Sequence, residues 1–345
     1  MQINQWHQFL QNSSKLPLLL VNEKILSFGN ASAEIEGTQY GTIICDLSHL
    51  GLLQLSGVDA VDFLQGQVTN DVKKLDGHSA HYTAYCNPKG RVLALFLAFA
   101  HYDHLHLQLP KELIVSISKR LKMYVMRSKV EIVDNSESTI KIGLSGKNAG
   151  DLLLSLFTHI PQAEYELISL DNGAVLRLPG LMPRYEIFAN LENAKAIWST
   201  LKPSAMSVGA KCWEWLDIQA GIPEVTLNTQ EQFVPQMLNL DLLNAINFKK
   251  GCYTGQEIVA RTHYLGKIKR RTYLAHLYAE VQPTDGDDVA NETGEVIGKV
   301  VRSALSPANG YDLLAEIRLE SVITEKLFVK GNVLEIKLMP YSLEN

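Results

Sequence analysis

Beyond residue 264 the chain changes character, and that change constrains its fold more than any other feature. Arg271–Val281, Glu295–Val301, Tyr311–Leu319 and Leu327–Lys337 read as short strands, broken by Asp-Gly, Thr-Gly, Asn-Gly and Lys-Gly turns. Turn signals at this spacing predict a small antiparallel barrel or sandwich. The boundary falls near Gly266–Arg271, dividing the chain into a body, residues 1–264, and a C-terminal β unit, residues 265–345. The basic run Lys267-Ile268-Lys269-Arg270-Arg271 at the junction has the composition to touch RNA phosphates. A solvated strand edge kept positive against association is the plainer expectation.

The body alternates both periods. Leu52–Ser56 reads as a strand and Val58–Gln67 as a short helix. Tyr82–Cys86 and Val92–Phe99 are strands around the turn Asn87-Pro88-Lys89-Gly90, followed by the strand His104–Leu109. Pro110 suits the first position of a helix to about Met123, with Leu113, Ile117, Leu121 and Tyr124 on one face. Strands over Lys129–Val133, Ile140–Leu144, Val175–Leu178 and Tyr185–Ala189 and helices over Ala149–Phe157, Glu192–Leu201 and Lys211–Ala220 complete the series. This order predicts an α+β body with antiparallel pairing rather than a doubly wound parallel sheet.

A chain of 345 residues is expected to form more than one domain. A formal charge of −5 gives no global drive toward nucleic acid or an anionic membrane, so direct nucleic-acid binding is not expected. No apolar run reaches membrane-spanning length, and Leu93–Ala100 is strand-sized. The N-terminus lacks a basic region followed by an apolar one, so no secretory signal is expected. The four cysteines, Cys45, Cys86, Cys212 and Cys252, are widely spread without a Cys-x-x-Cys pair. That predicts reduced thiols in a cytoplasm rather than a zinc site or disulfide framework.

The run Lys249-Lys250-Gly251-Cys252-Tyr253-Thr254-Gly255-Gln256-Glu257 concentrates unusual chemistry. Thr254 and Glu257 have capping-box spacing before the apolar Ile258-Val259-Ala260, which places Cys252 just ahead of a helix start. The helix dipole and the two lysines would favour a thiolate there. Gly251 and Gly255 would let the backbone pass close to a ligand or another segment. A helix entry carrying an ordinary buried cysteine is the plain alternative.

Two segments carry a resemblance. Leu47 to Ala60, continuing through Phe63-Leu64-Gln65-Gly66-Gln67-Val68-Thr69-Asn70-Asp71-Val72, is similar to the N-terminal signature of the aminomethyltransferase (glycine-cleavage T-protein) superfamily. The Lys250–Glu257 run, followed by Val259-Ala260-Arg261, resembles the hallmark of one branch, the YgfZ family of tetrahydrofolate-binding proteins. The resemblance extends over nearly the whole chain, including Ala220-Gly221-Ile222-Pro223. It implies two pseudo-symmetric ferredoxin-like α+β subdomains and a C-terminal antiparallel β-barrel, arranged as a ring with a central folate channel. It also implies a tetrahydrofolate-binding accessory factor in iron–sulfur protein assembly or repair. Downstream effects on tRNA modification, transient iron–sulfur client or carrier proteins and a reactive Cys252 belong to the same implication.

The departures matter equally. True aminomethyltransferases carry an aspartate on the strand after the Asn-to-Gly turn, where this chain has Ala94 or Leu95. Neither can move a proton, so aminomethyl transfer by that route is not expected. By resemblance Trp213 is a candidate wall for the pterin, with core packing as its alternative. Glu186 is a candidate acceptor for pterin N–H groups, or a surface strand carboxylate. Gln67, Asn70 and Asp71 either line the opening or form a turn. Leu50 stands where the family can show an aromatic. Glu257 serves as a capping partner, and Arg261 either pairs with it at i,i+4 or projects into the opening.

His101, His104 and His106 superficially resemble a metal cluster. Strand alternation puts His104 and His106 on one face and His101 opposite, and no metal site is expected. Cys45, Cys86 and Cys212 are expected to pack as small apolar residues. Two other functional classes remain open: a folate-dependent one-carbon transferase or demethylase, and a non-catalytic folate-binding module that docks a partner.

Overall fold

Alternating apolar positions in the body build two sheets that meet face to face. In the computed structural model, which describes residues 2–344, the chain begins with α1 (Gln2–Ser13) and the hairpin β1 (Leu19–Val21) and β2 (Lys24–Ser27). Helix α2 (Ala31–Tyr40) and strand β3 (Ile43–Asp46) follow. Two modules with one order of elements come next. The first runs β4 (Leu50–Ser56), α3 (Ala60–Gln65), β5 (Ala80–Cys86), β6 (Val92–His101), β7 (His104–Pro110), α4 (Ile114–Val125) and β8 (Glu131–Asp134). The second runs β9 (Ile140–Ser145), α5 (Ala149–Leu154), β10 (Leu167–Leu170), β11 (Gly173–Leu178), β12 (Arg184–Ala189), α6 (Leu191–Leu201) and β13 (Met206–Val208).

The sheet orders are β5-β6-β7-β4-β8 and β10-β11-β12-β9-β3-β13. Without the edge strands β5 and β10 and the inserted β3, each module is the β-α-β-β-α-β unit of a ferredoxin-like domain. β3 lies antiparallel to β9 and parallel to β13, so it wedges into the second sheet without reversing its pattern. Outer faces are covered by helices: Trp6 of α1 and Trp198 of α6 pack over Ile142, Leu144 and Ile187. Leu113, Ile117 and Leu121 do the same over Leu53, Phe96 and Leu107. Inner faces contribute Leu52, Leu95, Leu97, Leu176, Leu178 and Phe188 to one shared core.

Helix α7 (Ala210–Gln219) and, after an irregular stretch, α8 (Gln256–Tyr264) lead into the C-terminal unit. Its strands are β14 (Arg270–Leu277), β15 (Asp288–Asn291), β16 (Val296–Leu305), β17 (Tyr311–Arg318), β18 (Leu327–Val329) and β19 (Asn332–Ile336), with α9 (Leu319–Thr324) before β18. They close as a six-stranded barrel in the order β14-β17-β16-β15-β18-β19. Closure leaves no free edge. Among the described residues no helix is long and apolar enough to cross a membrane.

Several expectations are corrected. Pro110 ends β7 opposite Leu50 and precedes a 3₁₀ turn, so α4 begins only at Ile114, and Tyr124 is exposed. A proline tolerates this strand end because it needs no ladder donor there. Leu327–Lys337 is a hairpin, with Lys330 and Gly331 both at positive φ, 48° and 80°, as a tight two-residue turn requires. The junction run is not uniformly solvated: Arg271 is buried on Asp241 with a donor–acceptor distance of 2.9 Å at its second contact, and Arg270 pairs with Glu316. Lys267 and Lys269 remain exposed.

Candidate functional site

The inter-sheet seam opens at one end into a cavity beside the barrel. A narrow inner lobe of about 50 Å³ shares Leu50, Pro110, Glu224 and Arg302 with an outer chamber of about 590 Å³. Leu50, Leu95, Leu97 and Leu109 give the first module's wall an apolar character, with Tyr82 and Gln108 as its polar points. The second module contributes Glu186 and Leu178, α7 contributes Trp213 and Asp217, and the barrel contributes Arg302. Of the residues singled out from sequence, Leu50, Trp213 and Glu186 therefore meet here.

Alternation along β12 places Arg184 and Glu186 on the inner face, and both are fully buried. Gln108 Nε2 donates to Glu186 Oε2 at 3.1 Å, while Glu186 Oε1 and Gln108 Oε1 have no partner among the described residues. Burial is the main cause that raises the Glu186 pKa from 4.5 to about 7. Glu224 is raised to about 7 for the same first reason. Arg184 donates to Asp217 at 2.7 Å and keeps Nε and a terminal nitrogen unpartnered. Asp217 also accepts from Arg302 at 3.3 Å.

Trp213 borders the inner lobe from a buried position. Its ring abuts the backbone of Gly143, where a Cβ would fall 2.5 Å from Cζ3. The Arg184 guanidinium lies over it, 4.9 Å from the centroid. Only 2% exposed, the indole backs the Arg184 side chain rather than presenting an open face. Tyr82 is the partly buried aromatic on the lobe wall.

Gln67 and Asn70 lie outside the cavity walls. Asn70 Nδ2 bridges the carbonyls of Tyr82 and Asn244 at 3.0 and 2.8 Å, a structural role. Lys250 converges on the same loop, donating to the carbonyls of Gln65, Val68 and Asn70 at 2.7, 2.6 and 2.8 Å. Burial lowers its pKa to about 8. Its ammonium thus anchors the segment two residues before Cys252.

The capping box is not formed. Gly255, at φ 83°, is the N-cap of α8, and no side chain caps it. The reason is close packing: a Cβ on Gly255 would fall 2.5 Å from the Asn87 carbonyl oxygen. Glu257 and Arg261 are exposed and, among the described residues, form no ion pair with each other. Cys252 is exposed, as are Lys249 and Gly251, while Tyr253 is buried and Gln256 half-buried. None of residues 249–261 lines the cavity. The other thiols are buried, and burial pushes Cys86 and Cys212 up to about 12.

The histidine expectation fails in its geometry. The β6–β7 hairpin pairs His101 with His104 and Phe99 with His106, so all of them share one face. The turn at Tyr102 reverses the chain between His101 and His104, so strand alternation does not carry across it. Among the described residues no group of three or more His, Cys, Asp or Glu is placed to hold a metal ion. Arg184, Gln108, Asp217 and Arg302 were not singled out from sequence. Arg184 was legible as the i−2 neighbour of Glu186, but the others depend on long-range register and barrel docking.

The comparisons agree with this geometry. Residues 5–250 match the family model described as GCVT N-terminal domain. A protein named tRNA-modifying protein YgfZ from Colwellia psychrerythraea is 38% identical over 72% of this chain and 75% of its own. The protein of that name from Yersinia pestis strain Pestoides F is 33% identical over 87% of this chain and 92% of its own. The crystal structure of the glycine cleavage system aminomethyltransferase T from Bartonella henselae superimposes with a TM-score of 0.82, at 15% identity, over 98% of this chain and 97% of that one. That likeness establishes the fold, including the terminal barrel. With the family model spanning most of its length and close relatives along nearly all of it, the chain belongs to the YgfZ family within the glycine-cleavage T-protein superfamily.

Proposed function

We propose that this protein binds tetrahydrofolate or a derivative in the central cavity and supports tRNA modification, as an accessory factor for iron–sulfur proteins with Cys252 as its reactive thiol. The observation carrying the folate reading is the buried Glu186 carboxyl, which has an unpartnered oxygen beside the unpartnered Gln108 Oε1. Such acceptors suit the amino and ring N–H groups of a pterin, and the free Arg184 N–H groups suit its carbonyl. Tyr82 offers an aromatic surface, and Lys211 in the outer chamber, which donates to the neutral Gln282, suits a carboxylate of a glutamate tail, whereas Lys24 is already paired with Glu214. When bound, reduced folate supplies a carrier for one-carbon units. The chain's own residues bind and orient it.

Leu95 lines the lobe where the transferases place their aspartate, and Ala94 points into the opposite core. No ionisable side chain stands at that position, which argues against aminomethyl transfer. The relatives' name supports the link to tRNA modification, and the exposed thiol outside the cavity supports an encounter with another macromolecule. A strain lacking the protein, complemented with wild type, Glu186→Gln or Cys252→Ser, tests the reading. The readouts are modified nucleosides in tRNA and the activity of iron–sulfur enzymes. Failure of both variants is expected, and full restoration by both would overturn the proposal. Failure of Glu186→Gln alone would select a folate-binding module whose loop docks a partner.

A further inference from the structure

The seam between the two sheets has a second opening, at the end away from the central cavity. Gln108 and His106 share one face of β7, and Glu186 and Phe188 share one face of β12, so the same inner surface runs from the folate candidates to a second cavity. This second cavity is about 320 Å³, within the range of small-molecule sites and near its lower end. Phe99, Tyr102 and Phe188 give it flat apolar walls, and His101, His104 and His106 give it polar ones. His106 is 6% exposed and stacks on Phe99 with ring centroids 5.0 Å apart. Among the described residues its Nδ1 has no partner, and neither do His104 Nδ1 and His101 Nε2.

The wall chemistry selects the ligand. No lysine or arginine lines the cavity, and its one carboxylate, Asp171, is exposed at the rim. A phosphate or carboxylate ligand would find no counter-charge. Burial lowers the pKa of both His101 and His106, which keeps their imidazoles neutral. A neutral imidazole carries one donor and one acceptor nitrogen, so this edge matches a ligand edge that also carries both. Asn135 at the rim adds an acceptor: its amide nitrogen donates to Gln54 and Thr139, while Oδ1, which accepts from Ser138, keeps a second lone pair. The three imidazoles are not arranged to share a metal ion, which removes the usual alternative use of clustered histidines.

We propose that this histidine-lined cavity is a second binding site, for an uncharged, planar, purine-sized heterocycle with donors and acceptors along its edge. The site is independent of the central-cavity reading. A free purine and a pterin ring both carry this chemistry, and the test separates them. The full chain, with isotope-labelled histidine, is titrated with hypoxanthine and, separately, with 6-methylpterin while the imidazole signals are followed by NMR.

One or both probes are expected to shift the signals of His101, His104 and His106 saturably, and the tighter probe names the source. His106→Phe, which preserves a ring on Phe99, is expected to weaken binding by about tenfold, the ordinary effect of losing one buried hydrogen-bonding partner. Asn135→Ala, at the half-exposed rim, is expected to weaken it less and serves if the buried variant fails to fold. Unmoved histidine signals with both probes would overturn the proposal. So would wild-type affinity in both variants, or shifts that appear only with Zn²⁺.

Discussion

In the cavity, Arg184 is fully buried, shares Asp217 with Arg302 and lies over Trp213, so each side chain is fixed by at least one other. At the thiol loop, Lys249, Gly251 and Cys252 are exposed, and the segment is held mainly by Lys250 on three carbonyls and by Gly255 against Asn87. One region is a buried, mutually braced set of polar side chains. The other is anchored through Lys250, Tyr253 and Gly255 and leaves Cys252 exposed, which on the proposed reading leaves the thiol free to meet a partner. The family pattern draws attention to both, but physically they are separate devices on one scaffold, and perturbations should separate them.

The largest effect is expected from Asp217→Ala. This removes the carboxylate that Arg184 and Arg302 share, at side-chain exposures of 0% and 6%. Breaking a buried ion pair from one side typically costs about 3–5 kcal/mol, because the remaining charge stays buried without its partner. Urea denaturation monitored by tryptophan fluorescence measures this. A loss below about 1 kcal/mol, the size of an exposed pair, would mean that the cavity is no more rigid than the loop.

Glu186→Gln ranks next and acts on binding. Replacing a charge-assisted acceptor by a neutral amide is expected to weaken tetrahydrofolate by about 1.5–3 kcal/mol, roughly 10- to 150-fold. Calorimetric titration reads it, and unchanged affinity would remove Glu186 from the site. The pH dependence gives an independent check. With its pKa raised from 4.5 to about 7 by burial, Glu186 favours folding when protonated, so its contribution to stability declines as pH rises through that window. A ligand that donates to the carboxylate favours the ionised form instead. Affinity should therefore fall as pH drops below about 7, approaching tenfold per pH unit. Glu186→Gln should lack that slope.

Much of the fold was legible, because strands such as Val92–Phe99 and Tyr185–Ala189 are bounded by strong turn signals and packed where their alternation directs them. The first 46 residues carried no secondary-structure expectation, and neither did β15. Short elements such as Leu19–Val21 and Asp288–Asn291 are held by their pairing partners rather than by their own pattern. At the site, Glu186 and Trp213 were legible through family resemblance. Arg302 was not, since only docking of the barrel brings it to Asp217. The histidines and the capping box differ from expectation for a shared reason: the backbone leaves its local period at Tyr102 and Gly255, both at positive φ.

The smallest effect, and the sharpest for the comparison, is expected from Cys252→Ser. Cys252 is exposed and lines neither part of the central cavity. Exposed substitutions away from caps and networks usually change stability by less than about 0.5 kcal/mol. The variant should therefore unfold at the wild-type denaturant midpoint and bind tetrahydrofolate with wild-type affinity. Its signature should be confined to thiol chemistry. In the wild type, alkylation followed by mass spectrometry should label Cys252 while Cys45, Cys86 and Cys212 stay unmodified, because those three are buried and burial raises their pKa values. Labelling of a buried thiol as fast as Cys252 would show that the body opens on the same timescale as the loop. A shift in folate affinity in Cys252→Ser would couple the two regions and end the separation drawn between them. If neither occurs and the variant still fails to support iron–sulfur enzymes, the thiol acts on a partner, and the cavity acts on the folate, through surfaces that do not touch.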